Sequence, residues 1–181
     1  MKSVRFVPAL VLLTFGVAAC APKKDEAPKP KVAAVVDAAT LVAMGLAPSW
    51  SLKDVNGNLV KSEQFKGKVV VVDFWATWCG PCRIEIPGYI ELEKKYGKDG
   101  FAVIGISLDQ AGPEVVKDFV VKNGINYQVV MGDEAVTAAF GGMEAIPTTF
   151  LIDRAGQIRH RKVGIEETAE YEQKVIALLK G

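Results

Sequence analysis

The stretch Val69-Val70-Val71-Val72-Asp73-Phe74-Trp75-Ala76-Thr77-Trp78-Cys79-Gly80-Pro81-Cys82 decides the fold. Its first seven residues are apolar apart from Asp73, the pattern of a strand buried on both faces. The two cysteines follow where that strand should turn into a helix running from about Pro81 to Tyr96. Cysteines two residues apart can form a small reversible disulfide, supply half of a metal site, or act as a structural link. A zinc site takes about four ligands, and the other candidates are Cys20, close to the N-terminus, and the single histidine, His160. A structural disulfide closing so short a loop adds little stability in the chain-entropy account. The redox reading has a physical reason at each position. Unpaired amides of the first helical turn favour thiolate over thiol at Cys79. Pro81 suits an early helical position because it needs no amide partner, and Gly80 lets the backbone turn tightly beside a reactive sulfur. Cys79 is therefore the expected exposed attacking thiolate, and Cys82 the shielded resolving thiol.

Two acids are candidates for tuning this pair. Asp73 interrupts an apolar strand, where an unpaired carboxylate is costly. Burial raises its pKa and lets it accept and return a proton near neutral pH. Glu85 lies three residues after Cys82 and shares its helix face; it is also the kind of acid that suits the first turns of a helix for dipole reasons alone. Further on, Ile146-Pro147-Thr148 opens a late strand. A proline there can be a plain edge residue or a cis one, and composition does not decide between them.

Outward from this centre, Asn56-Gly57 marks a hairpin turn between Trp50–Lys53 and Leu59-Val60. Phe101–Leu108 reads as a strand, Pro113–Asn123 as a helix stopped by Gly124, and Tyr127–Met131 as a short strand. Asp133–Phe140 reads as a short helix. Thr148–Ile152 and Gln157–Val163 form a hairpin around Arg154-Ala155-Gly156, and Glu167–Lys180 closes as an amphipathic helix. Strands alternating with helices predict an α/β three-layer sandwich with a mixed central sheet.

The 181 residues carry a formal net charge of +1, which points to neither nucleic acid nor acidic substrates. Lys2 and Arg5, the apolar run Phe6–Phe15 and the small residues before Cys20 have the layout of an export signal, and the run is short for a bilayer span, which needs about 20 residues. Val17-Ala18-Ala19-Cys20 is similar to the bacterial lipobox, which implies a signal over 1–19 and a lipid on Cys20. Residues 20–47 then form a tether, rich in proline and charge in its first half, with a short helix expected over Val32 to Met44. Such a tether spans roughly 25–30 Å. The folded domain is expected over 48–181.

On these residues the chain resembles the thioredoxin superfamily, and more closely its TlpA/ResA-like branch of exported, membrane-tethered disulfide reductases. The resemblance rests on Val72–Cys82, on Glu85 and Pro87, and on Ile146–Asp153. It implies a thioredoxin-like sandwich, with Gly112–Gly142 as the helix and strand added in that branch. It also implies Cys79 as nucleophile, Cys82 as resolving cysteine, Asp73 as the buried acid, Glu85 as the acid of the branch, and Pro147 as a cis-proline facing the dithiol. Trp78, Gly80, Pro81 and the backbone of Ile146 would meet the substrate. Two departures stand out. Thioredoxins pair the buried acid with a lysine on the next strand, where this chain has Gly105. The residues between the cysteines are Gly-Pro, whereas ResA-like proteins often differ there.

The expected activity is thiol–disulfide exchange without a cofactor beyond the Cys79–Cys82 disulfide and without a metal. The expected direction is reduction of disulfides in exported proteins, with apocytochrome c haem-site thiols as leading candidate. Electrons would come from a membrane thiol-reductant transporter. The protein would be a monomeric bacterial lipoprotein facing the periplasm or the cell exterior. Two rivals are a thiol peroxidase of the peroxiredoxin type, which wants a proline and threonine just before a lone cysteine, and a copper-handling lipoprotein using the dithiol as a soft ligand.

Overall fold

The computed structural model describes residues 36–181. The export signal, Cys20 and the first part of the tether lie outside the described residues. The elements run β1 (Ser51–Lys53), β2 (Leu59–Lys61), β3 (Val69–Trp75), α1 (Gly80–Tyr96), β4 (Phe101–Ser107), α2 (Pro113–Lys122), β5 (Gln128–Met131), α3 (Glu134–Ala139), β6 (Thr148–Ile152), β7 (Ile158–Val163) and α4 (Thr168–Lys180). The main sheet has the order β5-β4-β3-β6-β7. β3, β4 and β5 are parallel, β6 is antiparallel to β3, and β7 is antiparallel to β6.

Side chains alternate across a strand, and β3 uses both faces fully. Val69, Val71 and Trp75 pack with Ile86, Tyr89 and Leu92 of α1, Val116 of α2, and Tyr171, Val175 and Leu178 of α4. Val70, Val72 and Phe74 pack on the opposite face with Trp50, Leu52 and Val60 of the β1–β2 hairpin and with Val136 and Phe140. The result is the expected three-layer α/β sandwich with a mixed sheet. Asp54 fixes the hairpin turn by accepting the amides of Asn56 and Asn58, each at 2.8 Å. Gly57 supplies the positive φ, 86°, that this turn needs.

The second half of the expected tether differs from the sequence reading. Residues 37–47 lie against the folded unit. Met44 donates to the Ile158 carbonyl at 2.8 Å, Ile158 donates to Gly45 at 2.8 Å, and Ala47 donates to Gly156 at 2.9 Å. Arg159 donates to the carbonyls of Leu41 at 2.6 Å and Ala38 at 2.8 Å. The Met44 amide has one proton and gives it to Ile158, so it is not available for a helical bond. Within the described residues the helix expected over Val32 to Met44 is accordingly only a 3-10 turn, Ala38–Thr40.

Gly105 sits directly opposite Asp73 in the register of β3 and β4. A Cβ at this position would lie 2.9 Å from the Trp75 indole nitrogen and 3.3 Å from the Tyr127 ring. The glycine therefore makes room for the indole, and a lysine there would displace it. Gly105→Ala should lower stability by about 1–3 kcal/mol, as overpacking of a closed core does. An unchanged urea midpoint and slope would show that the indole has space to move.

Candidate active site

The site is built where β3 runs into α1. The Leu108 amide donates to the Trp75 carbonyl at 2.8 Å, continuing the sheet to the end of β3. The chain then turns through Ala76–Trp78, held by Asp109. This buried carboxylate accepts the Thr77 amide at 2.9 Å and the Ser107 hydroxyl at 2.8 Å, and the Thr77 hydroxyl also bonds to it. Cys79 caps α1, and its sulfur accepts the Cys82 amide at 3.2 Å. Pro81 occupies the first helical turn. Cys79 and Cys82 are joined as a disulfide, with Cα atoms 5.3 Å apart.

In this oxidised state Cys79 is 5% accessible and Cys82 1%. Cys79 is thus not the openly exposed residue the sequence suggested, because the disulfide is covered by neighbouring backbone; the Ile146 carbonyl oxygen lies 3.7 Å from its sulfur. The Ile146–Pro147 bond is cis. Pro147 is buried, and its carbonyl accepts the Gly164 amide at 2.8 Å, which ties the loop to the end of β7. Trp78 stands 69% exposed beside the cysteines, and Gly80 and Pro81 are exposed as well. The sequence-predicted residues from Trp78 to Cys82 therefore meet Ile146 and Pro147 at one end of the sheet.

Behind the disulfide lies a buried polar group that the sequence reading grasped only in part. Asp73 is 2% accessible and accepts a hydrogen bond from the Thr149 hydroxyl at 3.1 Å. Burial, reinforced by the charge of Glu85 and offset by Lys162 and by the Thr149 bond, pushes its carboxyl up to about 7. Glu85 is also buried and forms an ion pair with Lys162. It further accepts the Glu166 amide at 3.3 Å. Asp73 lacks the usual lysine partner on the next strand, as the sequence indicated, but a lysine lies near it. The place on β4 is Gly105, and the lysine enters the same face of the sheet from the other side, on β7. Lys162 was hidden in Ile158-Arg159-His160-Arg161-Lys162, which reads as a solvated edge strand; only its period-two placement on the helix-covered face marks it. Tyr89, Thr149 and Asp109 were missed for a similar reason, since each looks like an ordinary helix, strand or loop residue until the pairing is known. Among the described residues no three His, Cys, Asp or Glu side chains gather as a metal site.

A mixed five-stranded sheet, a strand-to-helix dithiol and a cis-proline loop beside it define a thioredoxin-fold protein with a redox-active cysteine pair. The comparisons with known proteins agree. The redoxin family profile matches residues 42–176. The thioredoxin-like protein YneN of Bacillus subtilis is 34% identical over 71% of this chain and 76% of its own length. The thiol-disulfide oxidoreductase ResA of Bacillus anthracis is 34% identical over 68% of this chain and 70% of its own. A solved thiol:disulfide interchange protein of the thioredoxin family from Chlorobium tepidum superposes with a TM-score of 0.69 at 36% identity, covering 75% of this chain and 96% of that one. The chain belongs to the redoxin family, in its TlpA/ResA-like thioredoxin branch, and is a thiol–disulfide oxidoreductase.

The position of Asp73 has a consequence for stability. An acid whose folded pKa is raised binds more protons folded than unfolded between the two values, so stability falls as pH rises through that window. With a folded value of about 7 against an ordinary 3.8, Asp73→Asn should match the wild type near pH 3. It should then gain relative stability up to about pH 7, reaching on the order of 4 kcal/mol by linkage. Urea unfolding of both proteins across this range checks it. A stability difference that does not change with pH would mean that Asp73 is not held protonated by the fold.

Proposed function

We propose that this protein reduces disulfides in exported proteins, from a position tethered to a bacterial membrane by lipid on Cys20. The observation that carries the reading is the asymmetry of the pair: Cys79 caps α1 next to the exposed Trp78 and the Ile146 backbone, whereas Cys82 faces the core. In the reduced enzyme the amide ends of α1 favour negative charge on the Cys79 sulfur. That thiolate attacks a substrate disulfide, forming a mixed disulfide and releasing one substrate thiolate. Cys82 gives its proton to Asp73, and its thiolate attacks the Cys79 sulfur. The Cys79–Cys82 disulfide forms and the second substrate thiolate leaves. Two electrons have passed to the substrate, and a membrane thiol-reductant transporter returns two to the enzyme.

The exposed face around Trp78, Pro81 and Ile146 suits an extended segment laid against the cis-proline loop. Apocytochrome c haem-site cysteines are the leading substrate in this reading, as thiols that an oxidising compartment would otherwise keep paired. Membrane attachment in this proposal rests on Cys20; among the described residues no helix is long and apolar enough to cross a membrane.

Cys82→Ser, expressed in the native host, should accumulate mixed disulfides with exported proteins, separable by diagonal gels, and Cys79→Ser should trap none and reduce none. Trapping through Cys79→Ser instead would reverse the roles. For the anchor, Cys20→Ala should move the protein from the membrane fraction to the soluble exported fraction with its reductase activity intact. Unchanged tight membrane association of that variant would contradict lipid attachment.

A further inference from the structure

Strand register places Gly105, Asp73, Thr149 and Lys162 side by side across β4, β3, β6 and β7. Register partners share a face, so Asp73, Thr149 and Lys162 lie on the sheet face covered by α1 and α4, beside the bare backbone of Gly105. Lys162 is 8% accessible. Its ammonium touches the Glu85 carboxylate and lies 3.2 Å from the Tyr89 hydroxyl. It also sits 5.7 Å from the centre of the Tyr89 ring and 5.3 Å from that of Tyr171, a setting that favours a cation. The Tyr89 hydroxyl is 3.2 Å from the Thr149 hydroxyl, which is 3.1 Å from Asp73.

The chemistry of the donors fixes the direction of this chain. An ammonium only donates, so the Tyr89 oxygen accepts from Lys162. The single Thr149 proton goes to Asp73 Oδ1, so between the two hydroxyls it is Tyr89 that donates. Oδ1 is left as an acceptor, and a proton taken up by Asp73 goes to Oδ2. At its other end the same ammonium holds Glu85. We propose that Lys162 is the positioning residue that gives the two buried acids unequal work, clamping Glu85 as the anion of an ion pair and, through Tyr89 and Thr149, directing a hydrogen bond to Asp73 Oδ1 so that Oδ2 exchanges the proton of Cys82. Lys162 thus supplies from β7 a cation near the buried acid, where Gly105 on β4 carries no side chain. The proposal rests on the reading of Cys82 as resolving thiol.

The other ionisable groups around this row are Tyr127 ahead of β5, Tyr171 and Lys174 of α4, and His160 and Glu166 near the end of β7. Glu166 bonds to His160 at 3.0 Å and is paired with Lys174. That satisfies its charge locally and leaves Lys162 as the cation bonded to Glu85.

The test is an infrared titration of the oxidised protein, in which neither cysteine ionises and no substrate is needed. A failure here is therefore separate from a failure of the disulfide-reductase reading. The carbonyl stretch of a protonated buried carboxyl should titrate near neutral pH in the wild type and vanish in Asp73→Asn. Lys162→Met removes both the cation and the origin of the donor chain, so the Asp73 carboxyl, identified as the signal lost in Lys162→Met/Asp73→Asn, should stay protonated at least one pH unit higher. Tyr89→Phe should move the midpoint the same way by less, Glu85→Gln should move it down, and Lys162→Arg should restore it toward the wild type. Resolution of a mixed disulfide in single-turnover kinetics should follow the same order in its pH profile. Should Lys162→Met fail to fold, the opposite signs of Tyr89→Phe and Glu85→Gln still decide. A wild-type midpoint in Lys162→Met, or shifts of one sign in both of the other two, would overturn the proposal.

Discussion

The junction between β3 and α1 is the constraint on which the rest depends. A fully buried central strand delivers the chain to the end of the sheet, and the next helix begins after four residues. A helix start leaves amides without partners, and here the sulfur of Cys79 accepts one of them, from Cys82. One contact therefore caps the helix, fixes the spacing of the two sulfurs and places the first of them in the positive field of the helix terminus. The two cysteines differ because of this placement, not because of their immediate neighbours in sequence. Asp109 and the end of β4 hold the preceding turn in place, so the geometry belongs to the scaffold and not to a mobile loop.

The cost of this arrangement is carried one layer down. A carboxyl in the middle of a central strand is expensive as an anion, and the fold does not neutralise it with an adjacent lysine. Trp75 fills the space over Gly105 that such a lysine would need. The relief comes from the opposite direction, through Thr149 and Tyr89, from an ammonium that is itself paired with Glu85. Asp73 is left poised near neutral pH, able to hold a proton or release one without any change of fold. The same burial that poises it lowers the stability of the protein at neutral pH, which is how proton-handling groups commonly trade against stability.

Most of the scaffold was legible in the sequence. The apolar run of β3, the hairpin turn at Asn56-Gly57, the stop at Gly124 and the amphipathic α4 each follow from local patterning, and their order defines the sheet. The dithiol and the Ile146-Pro147 segment were legible as chemistry, though only family resemblance chose the cis form. The polar row was not. Which side chains share a row of a sheet depends on strand order and register, and neither is encoded locally. Lys162 sits in a basic segment that looks solvent-facing, and nothing nearby in the chain announces that Asp73 is two strands away. The docking of residues 37–47 was hidden for the same reason: Ala/Val-rich sequence is compatible with tether or helix until Arg159 is known to collect its carbonyls.

The claim that the helix start makes the two cysteines unequal is open to a direct measurement. The reduced protein is treated briefly with iodoacetamide at neutral pH, and the modified residues are located by peptide mass spectrometry. The account predicts that Cys79 is alkylated first and faster than free cysteine, with Cys82 following only after unfolding. Preferential alkylation of Cys82, or equal rates at both, would contradict it.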